Sequence, residues 1–368
     1  MKIKNVQENI DRCRFCFMCR HVCTLGRATK EESLTPRSQS LSLSFILRDT
    51  FDYSEELAEN IYKCCLCDFC RDWCQGGWDF PSAVRAARSD LVDKGLAPES
   101  VLNLKDEVLR NKNAYGISGI DEKLQKQLSS SDETADVLLL VGSDYMYADP
   151  EAAIAYMNIL KKAGINYKVL EDEDTTACDL LNLGFTEEAR EAAEKLSKIV
   201  FDSECSTVVV LSPDIEFFLS DNMLELGIDL EGIEIKGGVE FLFDLYSQKK
   251  LKLNGQYENK VTYHDSNALA RGSKVFEEPR KMLQSLDGVD YVEMIWNKNE
   301  AHSAGSILTY RLFPELARDI ADLRVADIIE VEAGVVVTSS PYDKKILEET
   351  ADNRFRVVDI YKLFAELV

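Results

Sequence analysis

The sequence predicts an α/β protein in which a helical N-terminal domain precedes two tandem lobes, each built on a parallel sheet. Nine of the 11 cysteines lie in the first 125 residues, which show helical rather than strand patterning. From Asp136 onward, strands and helices alternate, as in parallel sheets covered by helices. That alternation then occurs a second time, which indicates a repeat. We therefore expect domains at residues 1–125, 136–247 and 260–368.

Two cysteine runs with the same spacing, C-x₂-C-x₂-C-x₃-C, dominate the N-terminal part. They are Cys13, Cys16, Cys19 and Cys23, followed by Cys64, Cys67, Cys70 and Cys74. In proteins with two [4Fe–4S] clusters, three thiolates of such a run hold one cubane and the fourth reaches the other. The spacing therefore predicts one cluster on Cys13, Cys16, Cys19 and Cys74, and a second on Cys64, Cys67, Cys70 and Cys23.

Zinc sites and disulfides explain these runs less well. Structural zinc sites use pairs of cysteines, or cysteines with histidines, and a third cysteine at the same step does not fit that pattern. A disulfide framework requires an exported chain, and the N-terminal residues MKIKNVQENIDRC lack the apolar segment of a signal peptide. Thr24 and Gln75 stand where proline usually follows such a run. Because proline is not a ligand, this difference affects only how the chain leaves the cluster.

The rest of the N-terminal part has a helical pattern. Between the runs, Thr35-Pro36-Arg37-Ser38 precedes an apolar stretch at 41–47. After the second run a helix is predicted to begin at Pro81, because proline is favoured in a first turn, and its apolar face follows at Ala83, Ala86, Ala87 and Leu91. The polar residues 129–133 predict a linker.

The two lobes are predicted from apolar strands and amphipathic helices. In the first lobe we expect strands at 137–142, 167–170 and 207–211, and helices at 150–163 and 185–200. A polar segment, 248–260, separates it from the second lobe. There we expect strands at 261–264, 289–294, 335–339 and 357–361, and helices near 276–286 and 314–330. The repeat is visible where VVVLSP at 208–213 matches VVTSSP at 336–341, and DPE at 149–151 matches EPR at 278–280.

The composition excludes some classes of function. The 368 residues include 65 acidic and 43 basic side chains, a formal charge of −22, so a nucleic-acid-binding role is not expected. The acidity favours solubility, or docking to a basic redox partner. No apolar run approaches the roughly 18 residues of a membrane span, which leaves only peripheral association with a membrane open. Reduced thiolates and the missing export signal predict a cytoplasmic protein.

Several segments resemble a known family over nearly the whole chain. The family comprises the iron–sulfur subunits of glycolate oxidase, anaerobic glycerol-3-phosphate dehydrogenase and lactate-utilisation systems, and the catalytic subunit of heterodisulfide reductase. Its members join a two-cluster ferredoxin-like domain to a duplicated cysteine-rich "CCG" domain. Thr35-Pro36-Arg37 resembles the family's S-P-R after the first run. YHDSNALARG at 263–272 resembles its H-D-P-C-H-L-G-R segment, and EEPR at 277–280 follows as in the family.

The differences from the family concern the CCG cysteines, which can hold an additional, non-cubane cluster. The two C-C-G motifs correspond to Ala177-Cys178-Asp179 and Ser303-Ala304-Gly305. The two C-P-x-C motifs correspond to Ser212-Pro213-Asp214-Ile215 and Ser340-Pro341-Tyr342-Asp343, and Asn267 takes the cysteine position after His264-Asp265. Because such clusters need soft sulfur ligands, no non-cubane cluster is expected here.

The remaining cysteines and histidines give weaker signals. Cys65 breaks the spacing and is expected to be a structural thiol, and Cys178 and Cys205 to be buried or spare. His21 either donates a hydrogen bond to a cluster or is an exposed loop residue. His264-Asp265 and His302 either line one pocket as an acid/base pair or have structural roles only. No dinucleotide-binding or phosphate-binding glycine motif occurs, and no catalytic residue is assigned.

Together these features predict an electron-transfer subunit of a multi-subunit oxidoreductase, itself not catalytic. Its two [4Fe–4S] clusters would pass electrons between an acceptor and a flavin-containing dehydrogenase or oxidase subunit, or another redox protein. Two alternatives stay open. One is a heterodisulfide-reductase-like thiol/disulfide enzyme, against which the missing CCG cysteines argue. The other is a scaffold subunit whose CCG-like lobes bind a partner or a ligand.

Overall fold

The N-terminal part of the chain is helical. The computed structural model describes residues 1–129, 135–170 and 173–368, so the linker predicted at 129–133 lies almost entirely outside the described residues. Its α-helices are Gln7–Asp11, Met18–Val22, Thr24–Thr29, Pro36–Leu47, Glu55–Tyr62, Phe69–Asp72, Phe80–Asp93, Glu99–Asn111 and Glu122–Leu128, with 3₁₀ turns at Lys2–Val6 and Glu32–Leu34. Residues 1–129 contain no strand.

Side-chain caps fix where the two long helices around the cysteine runs begin. The hydroxyl of Thr35 accepts the N–H of Ser38, and the helix Pro36–Leu47 follows. The carboxylate of Asp79 accepts the N–H of Ser82 at the start of Phe80–Asp93, so the helix predicted from Pro81 begins one residue earlier. Both helices have proline in the first turn, where its missing N–H costs no hydrogen bond.

The first lobe contains a four-stranded parallel sheet. Its strands are β1 (Val137–Leu140), β2 (Lys168–Val169), β3 (Thr207–Val210) and β4 (Glu234–Gly237), in the order β2-β1-β3-β4. The helices around them are Ser143–Tyr147, Pro150–Lys162, Ala177–Leu183, Thr186–Asp202, Pro213–Phe217, Met223–Glu225 and Gly238–Ser247, with a π-helical turn at Phe218–Asn222.

The second lobe repeats this arrangement. Its strands are β5 (Gln256–Tyr263), β6 (Asp287–Tyr291), β7 (Val335–Thr338) and β8 (Arg356–Asp359), again parallel, in the order β6-β5-β7-β8. Its helices are Glu277–Gln284, Ile307–Leu312, Pro314–Glu330, Pro341–Ala351 and Ile360–Leu367, with a π turn at Ala268–Ser273 and a 3₁₀ turn at Lys298–Glu300. The predicted α/β class with tandem parallel-sheet lobes is confirmed, and the domain boundaries stay a prediction.

Two strand predictions differ from the structure for physical reasons. Strand β4 was not predicted, because its sequence EIKG has a single apolar side chain, Ile235, between charged ones, and its N-terminal end is exposed at the sheet edge. Strand β5 begins at Gln256, inside the segment predicted to separate the lobes. Its first residues are polar and only partly buried, so they lack the apolar pattern of a core strand.

The carboxyl ends of the two sheets face each other. Tyr145, just after β1, donates its hydroxyl to the carbonyl of Ser339, just after β7, at 2.7 Å. Tyr361, just after β8, donates to the carbonyl of Leu211, just after β3, at 3.0 Å. Both tyrosines are fully buried. Because parallel sheets bind ligands at their carboxyl ends, this orientation determines where a site can form.

The N-terminal domain packs on the first lobe through one continuous apolar core. Buried residues of the helix Phe80–Asp93, such as Ala83 and Leu91, belong to the same core as Leu180 and Phe185 of the first lobe. In the described part of the chain, no helix is long and apolar enough to cross a membrane.

Candidate cluster sites and the cavity beside them

The two cysteine runs form loops of matching backbone conformation. Phe15 and Leu66, each two residues after the first cysteine of its run, adopt left-handed φ angles of 53° and 54°. This turn brings the N–H of Phe15 within 3.4 Å of Cys13 Sγ, and the N–H of Leu66 hydrogen-bonds to Cys64. N–H groups that point at sulfur are typical of thiolates holding iron–sulfur clusters, where they stabilise negative charge.

The first set of thiols consists of Cys13, Cys16, Cys19 and Cys74. Burial, followed by the charges of Cys13, Cys16 and Cys74, raises the pKa of Cys19 to about 12. One of the thiols whose charge acts on Cys19, that of Cys74, therefore comes from the second run. This is the grouping that the spacing predicts for the first cluster.

The second set consists of Cys64, Cys67, Cys70 and Cys23. Burial raises the pKa of Cys70, and the charges of Cys67, Cys64 and Cys23 add to it. Burial likewise raises the pKa of Cys23, whose thiol accepts the N–H of Gly26 at 3.4 Å. Cluster binding takes thiolates, so it would release the protons that these thiols hold.

The thiols are not arranged for a single metal ion. Within the described ranges, no group of three or more histidine, cysteine, aspartate or glutamate side chains could hold one ion. A four-iron cubane is larger than an ion, so its four corner thiolates stand further apart than the ligands of one zinc ion at about 2.3 Å. The sets above fit a cubane in residue type, number and N–H donors, and the ligand assignment stays a prediction.

The two sites differ in exposure. Cys16 is exposed, and the other cysteines of the first set are partly buried. In the second set Cys70 is buried and the others are partly buried. The first site therefore lies nearer the protein surface than the second.

Two arginines hold the loop of the second run from outside it. Arg88 donates one Nη to the carbonyl of Cys64 at 2.6 Å and the other to the carbonyl of Asn182 in the first lobe. Arg271, in the second lobe, donates Nε to the carbonyl of Cys67 at 2.6 Å. Both arginines are buried. The second site is therefore fixed to both lobes, a link that sequence reasoning missed although Arg271 lies in the segment that resembles the family.

Cys65 does not fit the spacing of the second run, yet it interacts with a ligand candidate of the second site. Its side chain hydrogen-bonds to Cys67, and this bond, followed by burial, raises the pKa of Cys65 well above that of a free thiol. The same bond, followed by the charge of Arg271, lowers the pKa of Cys67 to about 6 in spite of burial. Cys65 is thus a hydrogen-bond donor to a ligand candidate, as well as a packed thiol.

A cavity of about 100 Å³ lies where the N-terminal domain and both lobes meet. Its wall beside the second cluster site includes Cys64 and Cys65. Asp179 and Asp214 line it from the first lobe, and Asn267 and Asp343 from the second. No described residue donates a hydrogen bond to the side-chain carboxylate of Asp179 or Asp214, and none forms an ion pair with either. Ser266 Oγ, in the same wall, is buried without a partner.

The cavity lies at the position where this kind of fold binds ligands. In the order β2-β1-β3-β4, the chain leaves β1 and β3 toward opposite sides, and in the second sheet it does so at β5 and β7. Ligands of open parallel sheets bind at such switch points. Asp214 follows β3, Asn267 follows β5 and Asp343 follows β7, so the switch points of both lobes contribute to one cavity.

The carboxyl groups around the cavity tend to hold protons. Burial raises the pKa of Asp179 to about 7, and the charge of Asp214 adds to it. Outside the cavity lining, burial, followed by the charge of Asp214, raises the pKa of Asp144 to about 8. Asp214 is in contact with solvent. Even so, the loss of water around its carboxyl group, followed by the charge of Asp343, raises its pKa. Near neutral pH these carboxyl groups are therefore only partly ionised, so the group as a whole holds both protons and negative charge.

Several positions of the altered CCG motifs line this cavity. Cys178, Asn267, Ser340 and Asp343 correspond to family cysteines and all line it. Cys178 is buried, with its Sγ 3.7 Å from the amide nitrogen of Asn182, and burial raises its pKa well above the usual range. Of these four positions one keeps its thiol, and an amide, a hydroxyl and a carboxyl group stand at the other three. Cys205 is buried, as expected.

The histidines do not form an acid/base pair in this cavity. His264 accepts from Arg324 Nε at Nδ1, at 2.9 Å, and its Nε2 lies 3.3 Å from Asp343. His302 stacks on Trp296 and contacts Asp327 at 2.7 Å. Both rings are buried outside the cavity lining. Asp265 is held by Arg280 through two hydrogen bonds of 2.7 Å.

Known proteins similar to this chain include subunits of reductases and an iron-sulfur-binding oxidoreductase. No protein-family model matches the chain. A dihydromethanophenazine:CoB–CoM heterodisulfide reductase subunit from Methanosarcina mazei is 25% identical over 386 aligned residues, covering 97% of this chain and 93% of that protein. A CoM/CoB fumarate reductase subunit from Methanothermobacter marburgensis is 22% identical, covering 95% of this chain and 71% of its own length. This chain is a homologue of such reductase subunits.

The similarity extends to bacterial proteins, and the resemblance predicted from the motifs is confirmed. The probable iron-sulfur-binding oxidoreductase FadF of Bacillus subtilis is 22% identical over 84% of this chain and 47% of its own length. Among solved structures, an aspartate racemase of Picrophilus torridus covers 62% of this chain and 90% of its own at a TM-score of 0.30 with 10% identity, which is too low to support an argument.

Proposed function

We propose that this chain is an electron-transfer subunit of a multi-subunit oxidoreductase and holds two [4Fe–4S] clusters. The observation that carries the proposal is that each run has a thiol close to thiols of the other run: the charge of Cys74 acts on Cys19, and the charge of Cys23 acts on Cys70. The predicted ligands are Cys13, Cys16, Cys19 and Cys74 for the first cluster, and Cys64, Cys67, Cys70 and Cys23 for the second. Its homology to iron–sulfur subunits of reductases supports this role.

The residues of this chain would bind the clusters and adjust their potentials. Cubanes accept and donate single electrons, at potentials set by charge, hydrogen bonds and exposure. The N–H groups of Phe15, Gly26 and Leu66 and the guanidinium of Arg271 stabilise negative charge at the thiolates. Removal of a hydride from an organic substrate needs a two-electron cofactor, so we place a flavin on a partner subunit.

The test is dye-linked electron transfer by the isolated chain, prepared without oxygen. We expect reduction by dithionite and reoxidation by a viologen dye, with no oxidation of glycolate or lactate. The eightfold variant in which serine replaces the predicted ligand cysteines should lose the dye reaction. Steady oxidation of either 2-hydroxy acid by the chain alone would contradict the carrier role.

The cavity favours a second candidate, the reduction of a small disulfide beside Cys64 and Cys65. Cleavage of a disulfide to two thiols takes two electrons and two protons, and Asp179 in the cavity wall has a pKa raised to about 7, so its carboxyl group can supply a proton near neutral pH. The negative charge of the cavity favours a cationic disulfide. The test uses cystamine with dithionite-reduced protein: turnover that falls in Asp179→Asn would support this candidate, and no turnover would exclude it for this ligand.

A further inference from the structure

The first cysteine run has a local charge opposite to that of the whole chain. Residues 12–30 include Arg12, Arg14, Arg20, Arg27 and Lys30 and no acidic residue, although the chain carries a formal charge of −22. The second run, at 64–74, has one basic residue and two acidic ones. The basic stretch therefore belongs to the first cluster site alone.

Most of this basic stretch is accessible at the surface. The side chains of Arg12 and Arg20 are 54% and 52% exposed, and Arg14 is exposed as well. Arg14 has no ion pair among the described residues; it donates to the carbonyl of Asp11. Arg12 lies 3.9 Å from Glu8, and Arg20 lies 2.9 Å from Glu32. The positive charges of these two arginines are therefore partly neutralised. Exposed charges of this kind act on an approaching partner more than on stability.

Two large apolar residues, Phe17 and Met18, lie between Arg14 and Arg20 in the sequence. Phe17 is 53% exposed and Met18 is 37% exposed, directly after the exposed Cys16. The guanidinium of Arg37 stacks over the Phe17 ring at 4.5 Å and donates to the carbonyl of Phe15 at 3.0 Å. The ring is therefore held in place while part of it faces solvent. An apolar centre with a charged rim is the usual anatomy of a protein interface.

We propose that Arg12, Arg14, Phe17, Met18 and Arg20 form a docking surface, the first-cluster face, for an acidic electron-transfer protein. This inference rests on the proposed function and names the partner's chemistry. Positive charge beside an exposed ligand cysteine would attract an acidic partner and orient it toward the first cluster, against the repulsion of the chain's net charge. Electrons would then pass from the partner to the first cluster and on to the second cluster, whose site is held by both lobes.

The experiment measures binding rather than electron flow, so that potentials do not enter. The probe is an oxidised, acidic plant-type [2Fe–2S] ferredoxin, titrated at low and at moderate salt into the cluster-loaded full chain. The test variant is Arg14→Glu/Arg20→Glu. The matched control is Lys195→Glu/Lys198→Glu, two exposed lysines of the helix Thr186–Asp202, which changes net charge equally. Iron content and dye reduction of each variant report the proposed function separately.

We expect the arginine variant to weaken ferredoxin binding by roughly tenfold or more, which corresponds to about 1.4 kcal/mol, and the lysine variant by less than about twofold. Wild-type binding should weaken as salt rises. Equal effects of the two variants, or no binding of ferredoxin at low salt, would overturn the docking surface. So would tight, arginine-dependent binding to phosphatidylglycerol vesicles in place of ferredoxin, because it would assign the face to a membrane. Clusters that are absent from all variants would contradict the proposed function instead.

Discussion

Arg271 of the second lobe donates its Nε to the carbonyl oxygen of Cys67 at 2.6 Å, across 204 positions of sequence. Its Nη1 donates to the carbonyls of both Asn299 and Ala301, and its Nη2 donates to the side-chain oxygen of Asn267. One arginine thus connects the loop of the second cluster site to the cavity wall. Its positive charge also favours the thiolate of Cys67.

Arg271→Gln should lower the potential of the second cluster. Loss of a positive charge destabilises the reduced, more negative state, and a shift of about 60 mV corresponds to about 1.4 kcal/mol for one electron. A redox titration followed by EPR measures it. Arg356→Gln is the control, since Arg356 is exposed and contacts Tyr257 on the far side of the second sheet. An equal shift in the control, or none in Arg271→Gln, would contradict the assigned role.

Cys23→Ser should damage the second cluster, although Cys23 belongs to the first run. Iron content should fall from about eight to about four per chain. Alkylation followed by mass spectrometry should then find newly reactive thiols at Cys64, Cys67 and Cys70. Labelling of Cys13, Cys16 and Cys19 instead would show that the ligands do not cross between the runs.

Cys65→Ser should keep both clusters, because serine still offers a hydrogen-bond donor.

Gly184→Ala should destabilise the junction between the N-terminal domain and the first lobe. Gly184 has a φ of +95°, and an added Cβ would lie 2.5 Å from the carbonyl carbon of Arg88. We expect a loss of about 2–3 kcal/mol in urea unfolding. Because Arg88 holds the carbonyl of Cys64, iron retention should fall too. Gly95→Ala, at a φ of +68° with open space around it, is the control and should cost about 1 kcal/mol and leave iron content unchanged.

Asp179→Asn should make the stability of the protein less dependent on pH. The folded pKa of Asp179 is raised to about 7, mainly by burial, so the folded state holds a proton that the unfolded state releases. Its stabilising contribution is therefore present below about pH 4 and is lost as pH rises through about 7. We expect the fall in Tm between pH 5.5 and 8.5 to be smaller by roughly 2 °C in the variant. An unchanged or larger fall would contradict a raised pKa.

The sequence predicted those features that depend on neighbouring residues. The cysteine spacing identified the ligand candidates, and the apolar runs identified seven of the eight strands. Strand β4 was missed because EIKG has no apolar pattern and forms only by pairing with β3.

The features that depend on distant residues could not be read from the sequence. The hydrogen bond of Arg271 to Cys67, and the convergence of Asp179, Asp214 and Asp343, require the two sheets to face each other. The family motifs marked several of these positions, as with Asn267 and Ser340, but only as lost cysteines. That carboxyl groups gather around the same cavity as these positions is a property of the folded chain.

Iron and acid-labile sulfide analysis of anaerobically prepared protein, combined with EPR of the reduced state, tests the central claim most directly. We predict about eight iron and eight sulfide per chain and the signals of two [4Fe–4S] clusters. About four iron, stoichiometric zinc, or about twelve iron with the signal of a non-cubane centre would contradict it.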